Sequence, residues 1–485
     1  MKFVFPARAG FAGVAFAGLA LSSSPATPSP PRVFHTSAAR VYPTAFREQR
    51  LERHRAYAVA PTTCSTTGPD SFRGVSFANN IASGSDSAVL GGTNNSACDD
   101  FSGIGAGAYN SVAYNDEAQY SFIGGGANNV IVQEDAGIGS GFANEVTGSN
   151  GYVGAGVYGL ASGNGSFVGA GGEEYFDAGA SSAAGTGNIA GGDDSFVGAG
   201  DLNQIAVTGK GSFIGGGDYA YAATHATTAG NQISGTDSFV GAGDQNVVNG
   251  NEAFIGSGDI NTISSAASYA TILGGNRNDV TGEYASILGG FGNSASGAYA
   301  IVAGGDADSA AGTLSFAGGY HADAAHNGSF VWSDYSSGSA MLKDTAVNQF
   351  VVRASGGTHV YSNEAATSGV ELAPGESTWE SLSDRGAKTG IVPLDDDAVL
   401  AKVAALPISR WSYKSDRGVQ HVGPMAQDFY AAFGTGVDDR HITSIDEDGV
   451  ALAAIKALQS RLASLEARNA AMERRLDALA SRKRE

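Results

Sequence analysis

Ser121-Phe122-Ile123-Gly124-Gly125-Gly126, Gly137-Ile138-Gly139-Ser140-Gly141 and Tyr152-Val153-Gly154-Ala155-Gly156 stand 15 residues apart when aligned on their first glycines. Ser166-Phe167-Val168-Gly169-Ala170-Gly171 continues the series, and further copies start their glycines at Gly198, Gly215, Gly241, Gly256, Gly274, Gly289, Gly304 and Gly318. Steps of 15 dominate, with 29, 17, 26, 18 and a final 14 between them. A fixed period of this length is the mark of a repeat architecture, in which each unit buries its apolar face only against its neighbours.

One unit can be read residue by residue. A pair such as Phe-Val or Phe-Ile favours an extended strand, with one side chain inward and the next outward. The Gly-x-Gly after it allows a corner with positive φ or a close backbone approach. Asn203, Asn246 and Asn261 follow in the place of a turn residue that tolerates a left-handed conformation. Two residues later comes a second apolar side chain, Ile205, Val248 or Ile263. Stacked units would share a continuous aliphatic spine. The pattern resembles the left-handed β-roll head of trimeric bacterial adhesins.

Two other glycine-rich readings fail on spacing. Calcium-binding repeats need a nine-residue period, whereas here the acid follows glycine directly, as at Asp201, Asp244 and Asp259. Phosphate-cradling loops need a lysine or a strand-to-helix context that these triplets lack.

The 71 glycines, with only 12 prolines and no Gly-X-Y period, exclude collagen. The net charge of −20 is uneven: residues 1–60 carry +6 and residues 451–485 carry +4, leaving −30 for the body. So acidic a body argues against nucleic-acid binding and suits a soluble, self-repelling fibre. The basic tail, Arg474-Arg475 and Arg482-Lys483-Arg484, reads as a solvated helix face. No Cys/His metal signature occurs, and no metal or cofactor is expected. The two cysteines, Cys64 and Cys98, fit either a disulfide of an exported protein or free thiols.

Outward from the repeats, residues 1–26 read as a secretory signal, with Lys2 and Arg8, an apolar run from Ala9 to Leu21, and small residues at Ser24-Pro25-Ala26. That run is too short and glycine-rich to span a bilayer comfortably, an uncleaved N-terminal anchor is the competing reading, and apart from this segment no membrane anchor is expected. Residues 27–84 read as a flexible basic leader and 85–333 as the solenoid. Residues 334–377 read as a β-rich stalk of short strands around Phe350-Val351-Val352 and His359-Val360-Tyr361.

After the stalk the composition changes. Ser381-Leu382-Ser383-Asp384-Arg385-Gly386-Ala387-Lys388 precedes His421-Val422-Gly423-Pro424-Met425-Ala426-Gln427-Asp428, and Ile445 to Leu458 comes after. Ile455, Leu458, Leu462, Leu465, Asn469, Met472, Leu476 and Leu479 then alternate in steps of three and four, an a/d seam with one polar Asn469. These three ordered motifs resemble the C-terminal intramolecular chaperone of phage tailspikes and endosialidases, the S74 peptidase family, over about residues 378–470.

The resemblance implies a trimerising domain at 378–452, with a coiled coil at 453–485, that templates an upstream β-fibre and then cuts itself off. Ser383 would be the nucleophile and Lys388 its base. Attack on the carbonyl of Leu382 would break the bond upstream of Ser383; cleavage on the other side is open. Asp384 matches the family element, Arg385 stands one place before the usual arginine, and both are assigned to ordering the site, with His421 and Gln427. His421 is read as structural, with an acid-base role as the alternative. Gly386-Ala387 depart from the larger residues of the family, which bears on how efficiently the chain cuts. On a straight helix, residues five apart point about 140° away from each other, so Ser383 should lie at or before a helix start, with Lys388 reaching back along it or approaching from a neighbouring chain. An ordinary lysine amine is free base in only about one molecule in 10³ at pH 7, so the chemistry needs it desolvated.

The expected protein is therefore mainly β: an exported homotrimeric parallel β-solenoid of ~15-residue coils, a β-rich stalk and a small α/β chaperone domain. The rival reading is a structural adhesin or fibre whose C-terminal domain trimerises without cutting. A host surface or glycan is the expected partner class, with nothing to identify it. A polysaccharide-cleaving tailspike lacks support, because no carboxylate pair is marked as acid and base.

Overall fold

The computed structural model describes Cys64 and residues 67–482, apart from 75–78, 113–116, 173, 176–183, 186, 218–229 and 339. The expected signal segment and nearly all of the basic leader up to residue 66 lie outside the described residues. The chain divides into two compact units, the first ending at Ser355 and the second running over Gly356–Glu485.

The first unit is a parallel β-solenoid. Each coil contributes one short strand to a 17-stranded sheet and one to a 16-stranded sheet. The expected inward-outward alternation holds. Val168, Val197, Ile214, Val240 and Ile255 point inward and are fully buried. Their neighbours Phe167, Phe196, Phe213, Phe239 and Phe254 stack face to face outside, with centroids 4.8–5.1 Å apart. Ile205, Ile233, Val248 and Ile263 of the second sheet complete the core. Each such side chain contributes about 1.5–3 kcal/mol, so the spine is a sum over coils.

The coils extend further than expected at both ends. Phe72–Arg73 and Ile81–Ala82 already pair with later coils, inside the stretch read as leader. Phe350–Arg353 still pairs in parallel with Phe330–Ser333, inside the stretch read as stalk. Irregular steps are absorbed without loss of register. Across the step from Gly169 to Gly198, Phe167 faces Phe196 and Val168 faces Val197, while the surplus includes a short antiparallel pair, Glu174–Tyr175 with Ala184–Gly185. Alignment on the first glycine slips at Gly274, stays slipped at Gly289 and Gly304, and returns at Gly318. Phe254 faces Thr271, so Leu273 takes the first glycine's position and Gly274 the middle one.

The second glycine is the constant one, and the reason is steric. Gly126 has φ +94°, and a Cβ there would lie 2.0 Å from the carbonyl oxygen of Gly141 in the next coil. The asparagines need a different explanation from the one expected. The left-handed residues are their predecessors, Leu202, Gln245 and Ile260, with φ between 55° and 60°. Asn203, Asn246 and Asn261 are themselves completely buried.

They belong to a ladder inside the solenoid. Asn129 Oδ1 accepts from the backbone N–H and the side-chain amide of Asn144, at 3.0 and 3.1 Å. Its own Nδ2 donates at 3.0 Å to the carbonyls of Gly125 and Gly141. Each amide thus satisfies the corner carbonyls of its own coil and of the next, groups that burial would otherwise leave costly.

One rung is different. Asp308 takes the asparagine position in the coil after Asn293, accepting from Ala322 N at 2.7 Å through Oδ1. Its other oxygen has no hydrogen-bond partner and sits 2.5 Å from where a Gly305 Cβ would be, the place of the amide nitrogen in other coils. A carboxylate there faces carbonyls; a carboxylic acid can donate to them. Burial, joined by the neighbouring Asp306 charge, accordingly raises the Asp308 pKa to about 6. The folded state binds this proton more tightly than the unfolded chain, so its contribution is complete below about pH 4 and is lost as pH rises through 6. Asp308→Asn should remove that dependence and stabilise the last coils above pH 7 by about 2–3 kcal/mol. Hydrogen exchange of residues 300–330 against pH, in both proteins, measures it.

Cys64 and Cys98 are joined in a disulfide, with Cα atoms 6.0 Å apart. It ties the segment ahead of the first coils to the strand at Ser96–Ala97, a closure worth about 4 kcal/mol in the unfolded-chain accounting.

The second unit is α/β. Three antiparallel strands, Thr358–Tyr361, Gly369–Leu372 and Glu380–Ser381, open it. Three helices come after them: α1 (Asp396–Ala405), α2 (Ala426–Phe433) and α3 (Ser444–Arg482). The hairpin Ser409–Tyr413 with Asp416–Gly423 lies between α1 and α2. The long helix therefore starts at Ser444, ahead of the expected coiled-coil boundary. Thr443 caps it, its Oγ1 donating to Asp446 Oδ2 at 2.7 Å and accepting from Asp446 N at 3.2 Å.

Candidate active site

The strand Glu380–Ser381 delivers the chain to Leu382 and Ser383, both exposed. The backbone then makes a single turn of 3₁₀ helix over Arg385–Ala387. Asp384 starts it, its Oδ1 accepting from Gly386 N at 3.0 Å, and Lys388 ends it, its backbone N–H donating to Arg385 O at 3.2 Å. A turn this tight folds the chain back on itself. Lys388 Nζ consequently donates to Ser383 Oγ at 2.6 Å. The expected geometry, with serine ahead of a helix start and lysine reaching back along it, is the one observed within a single chain.

Arginine, glycine and alanine fill the turn between cap and lysine, so the turn adds little apolar cover. Every residue from Leu382 to Lys388 is exposed in the single chain. The serine is thus positioned by short-range hydrogen bonds alone, with no wall around it.

The other expected site residues divide. Asp384 is in the site as the cap of the turn, and Arg385 is the turn's first residue. His421 stands in the hairpin, its ring stacked on Trp411 at 4.7 Å and edge-on to Tyr413 at 5.5 Å. That aromatic cluster pins the two strands together. Gln427 is exposed in the first turn of α2. Among the described residues no hydrogen bond joins His421 or Gln427 to Ser383 or Lys388.

The long helix α3 has two faces. Ala454 and Ala457 are buried against Leu400 and Val403 of α1, and Lys456 and Arg461 reach Asp396 and Asp397 at 2.6 and 3.0 Å. Small alanines permit this close approach. Ile455, Leu458, Leu462, Leu465, Met472, Leu476 and Leu479, the a/d seam, are all more than half exposed. Seven large apolar side chains in one open stripe are unusual for a helix with no further partner.

Among the described residues no group of three or more His, Cys, Asp or Glu side chains could hold a metal ion. No described helix is long and apolar enough to cross a membrane. No curated protein matches the chain in sequence. Residues 383–438, a stretch that opens on the serine of the turn, match the family model for the chaperone of endosialidase, peptidase family S74. The chain therefore carries, behind a parallel β-solenoid, a C-terminal chaperone-of-endosialidase domain.

Proposed function

We propose that the protein is an exported, homotrimeric β-fibre whose C-terminal domain drives trimer folding and then releases itself by one cut at Ser383. The hydrogen bond from Lys388 Nζ to Ser383 Oγ, at the seam between a β-rich segment and the chaperone domain, carries the reading. The open a/d stripe of α3 supplies the trimer: three copies would bury it against one another, with Asn469 fixing register. Packing of neighbouring copies over the exposed seam would desolvate the lysine amine and yield the neutral base the chemistry needs. Cutting would then wait for assembly.

In that reaction the Ser383 hydroxyl gives its proton to the Lys388 amine as Oγ bonds to the carbonyl carbon of Leu382. The tetrahedral adduct collapses with loss of the Ser383 nitrogen, which takes the proton back from the ammonium. The resulting Leu382 ester on Ser383 Oγ is then hydrolysed by water, freeing the C-terminal fragment. The released fibre would act outside the cell, as an adhesin or tail-fibre-like body, on a host surface or glycan.

The second reading keeps the trimer and drops the cut. Gly386-Ala387 and the absence of any wall around Ser383 in the single chain favour it. Intact mass and sedimentation of the purified protein decide between the two. A trimer accompanied by a fragment of about a hundred residues beginning at Ser383 is the expected result. An uncut trimer would remove the peptidase and leave the chaperone.

A further inference from the structure

The corner that is glycine in most coils is broken near the end of the solenoid, and a pocket opens there. Strand register sets Gly318 beside Trp332 and Gly319 beside Ser333, and sets Asp306 beside Tyr320 in the coil before. The corner glycine column therefore ends at Trp332-Ser333. The Trp332 ring lies 3.3 Å from where a Gly318 Cβ would be, so the missing side chain of one coil is roofed by the indole of the next. The result is a pocket of about 370 Å³ lined by Asp306, Gly319, Tyr320, Trp332, Asp334 and Tyr335 among others.

The lining is mainly apolar, and its charged side chains are acidic. It offers three aromatic rings and two carboxylates, and no lysine, arginine or histidine. Tyr320 and Tyr335 stand 4.9 Å apart with their planes 59° from each other, the walls of an angle rather than one platform. Tyr320 is held by the His321 ring stacked on it at 4.1 Å. Asp334 is fixed by the N–H and hydroxyl of Ser336 and by Ser355 N, which donates at 2.5 Å. These bonds hold its carboxyl well below the usual carboxylate range. The outer wall is open: Tyr335 is 83% exposed and Trp332 42%.

We infer that this corner is a binding site for an alkylated ammonium group. A tetrahedral cation can touch two angled ring faces at once, whereas a pyranose stacks on a single plane. Ring faces attract a cation within about 6 Å, most strongly on tryptophan, and the adjacent carboxylates add to the field. The site does not depend on how the C-terminal domain works.

Titration of the full-length protein with tetramethylammonium chloride at constant ionic strength, read by calorimetry and by the ring-proton NMR signals, tests it. Saturable binding is expected, weakened at least about fivefold in Tyr335→Ala and in Asp306→Asn. Tyr335 projects from the surface, so its loss leaves the coils folded. Absence of saturable binding, or binding unchanged in Tyr335→Ala, overturns the site. Saturable binding of a neutral methyl pyranoside without binding of tetramethylammonium overturns the ligand class.

Discussion

Ser383→Ala and Lys388→Ala should each leave the chain at full length while the wild type loses its C-terminal fragment. The expected effect is all-or-none within the lifetime of a preparation, because in the proposed dyad the two groups would act as one unit. Without Oγ there is no nucleophile. Without Nζ, 2.6 Å from that oxygen, nothing accepts the hydroxyl proton, and removing a base positioned in this way typically costs 10²–10⁴-fold. Both variants should still sediment as trimers, since neither residue touches the helix stripe. Mass spectrometry of wild type and variants after identical incubation provides the comparison. A Lys388→Ala protein cut at the wild-type rate would show that another group is the base, with His421 the first to examine.

Changing Leu462 and Leu465 together to Asp should yield a single chain that is never cut. Each of these leucines is more than half exposed in the isolated chain. Its burial in the proposed three-helix seam would contribute about 1.5–3 kcal/mol, so six leucines in a trimer would amount to roughly 10 kcal/mol before any cost of burying carboxylates. The own-chain packing of Ala454 and Ala457 on α1 is untouched, and the domain should keep its helices. Sedimentation and intact mass on the same sample separate the two halves of the proposal. A monomer that still processes itself would sink the coupling of cutting to assembly.

How much could be read beforehand depended on whether a feature repeats. The strand pairs were legible because Phe167-Val168, Phe196-Val197 and their equivalents recur with the glycines that come after them. The extent of the solenoid was less legible, since Phe72–Arg73 and Phe350–Arg353 lack a following Gly-x-Gly and are recognised only by whom they pair with. The asparagines were visible but misread. At Asn203 a turn residue and a buried amide ladder leave the same trace in one sequence; only the φ of Leu202 and the burial of Asn203 separate them. A clue was available, because Asn246 and Asn261 keep the coil period as strictly as the glycines do. Asp308 then stands out as the rung of different chemistry. Ser383 and Lys388 were singled out through their family setting, and the hydrogen bond between them follows from the one-turn 3₁₀ helix that Asp384 caps. The pocket at Trp332 was not legible, being made by what Gly318 lacks as much as by what Trp332 brings.

The step between coils sets a scale for the whole first unit. Neighbouring strands in a sheet are about 4.8 Å apart, so 17 stacked strands make a rod of roughly 75–80 Å. Because surplus residues leave at the corners without disturbing register, as between Val168 and Val197, this distance is counted in coils and not in residues. Such a rod is a ruler with a fixed graduation. Duplicating one 15-residue unit would lengthen it by a single mark, while an insertion of any size at a corner would decorate its side and leave its reach the same.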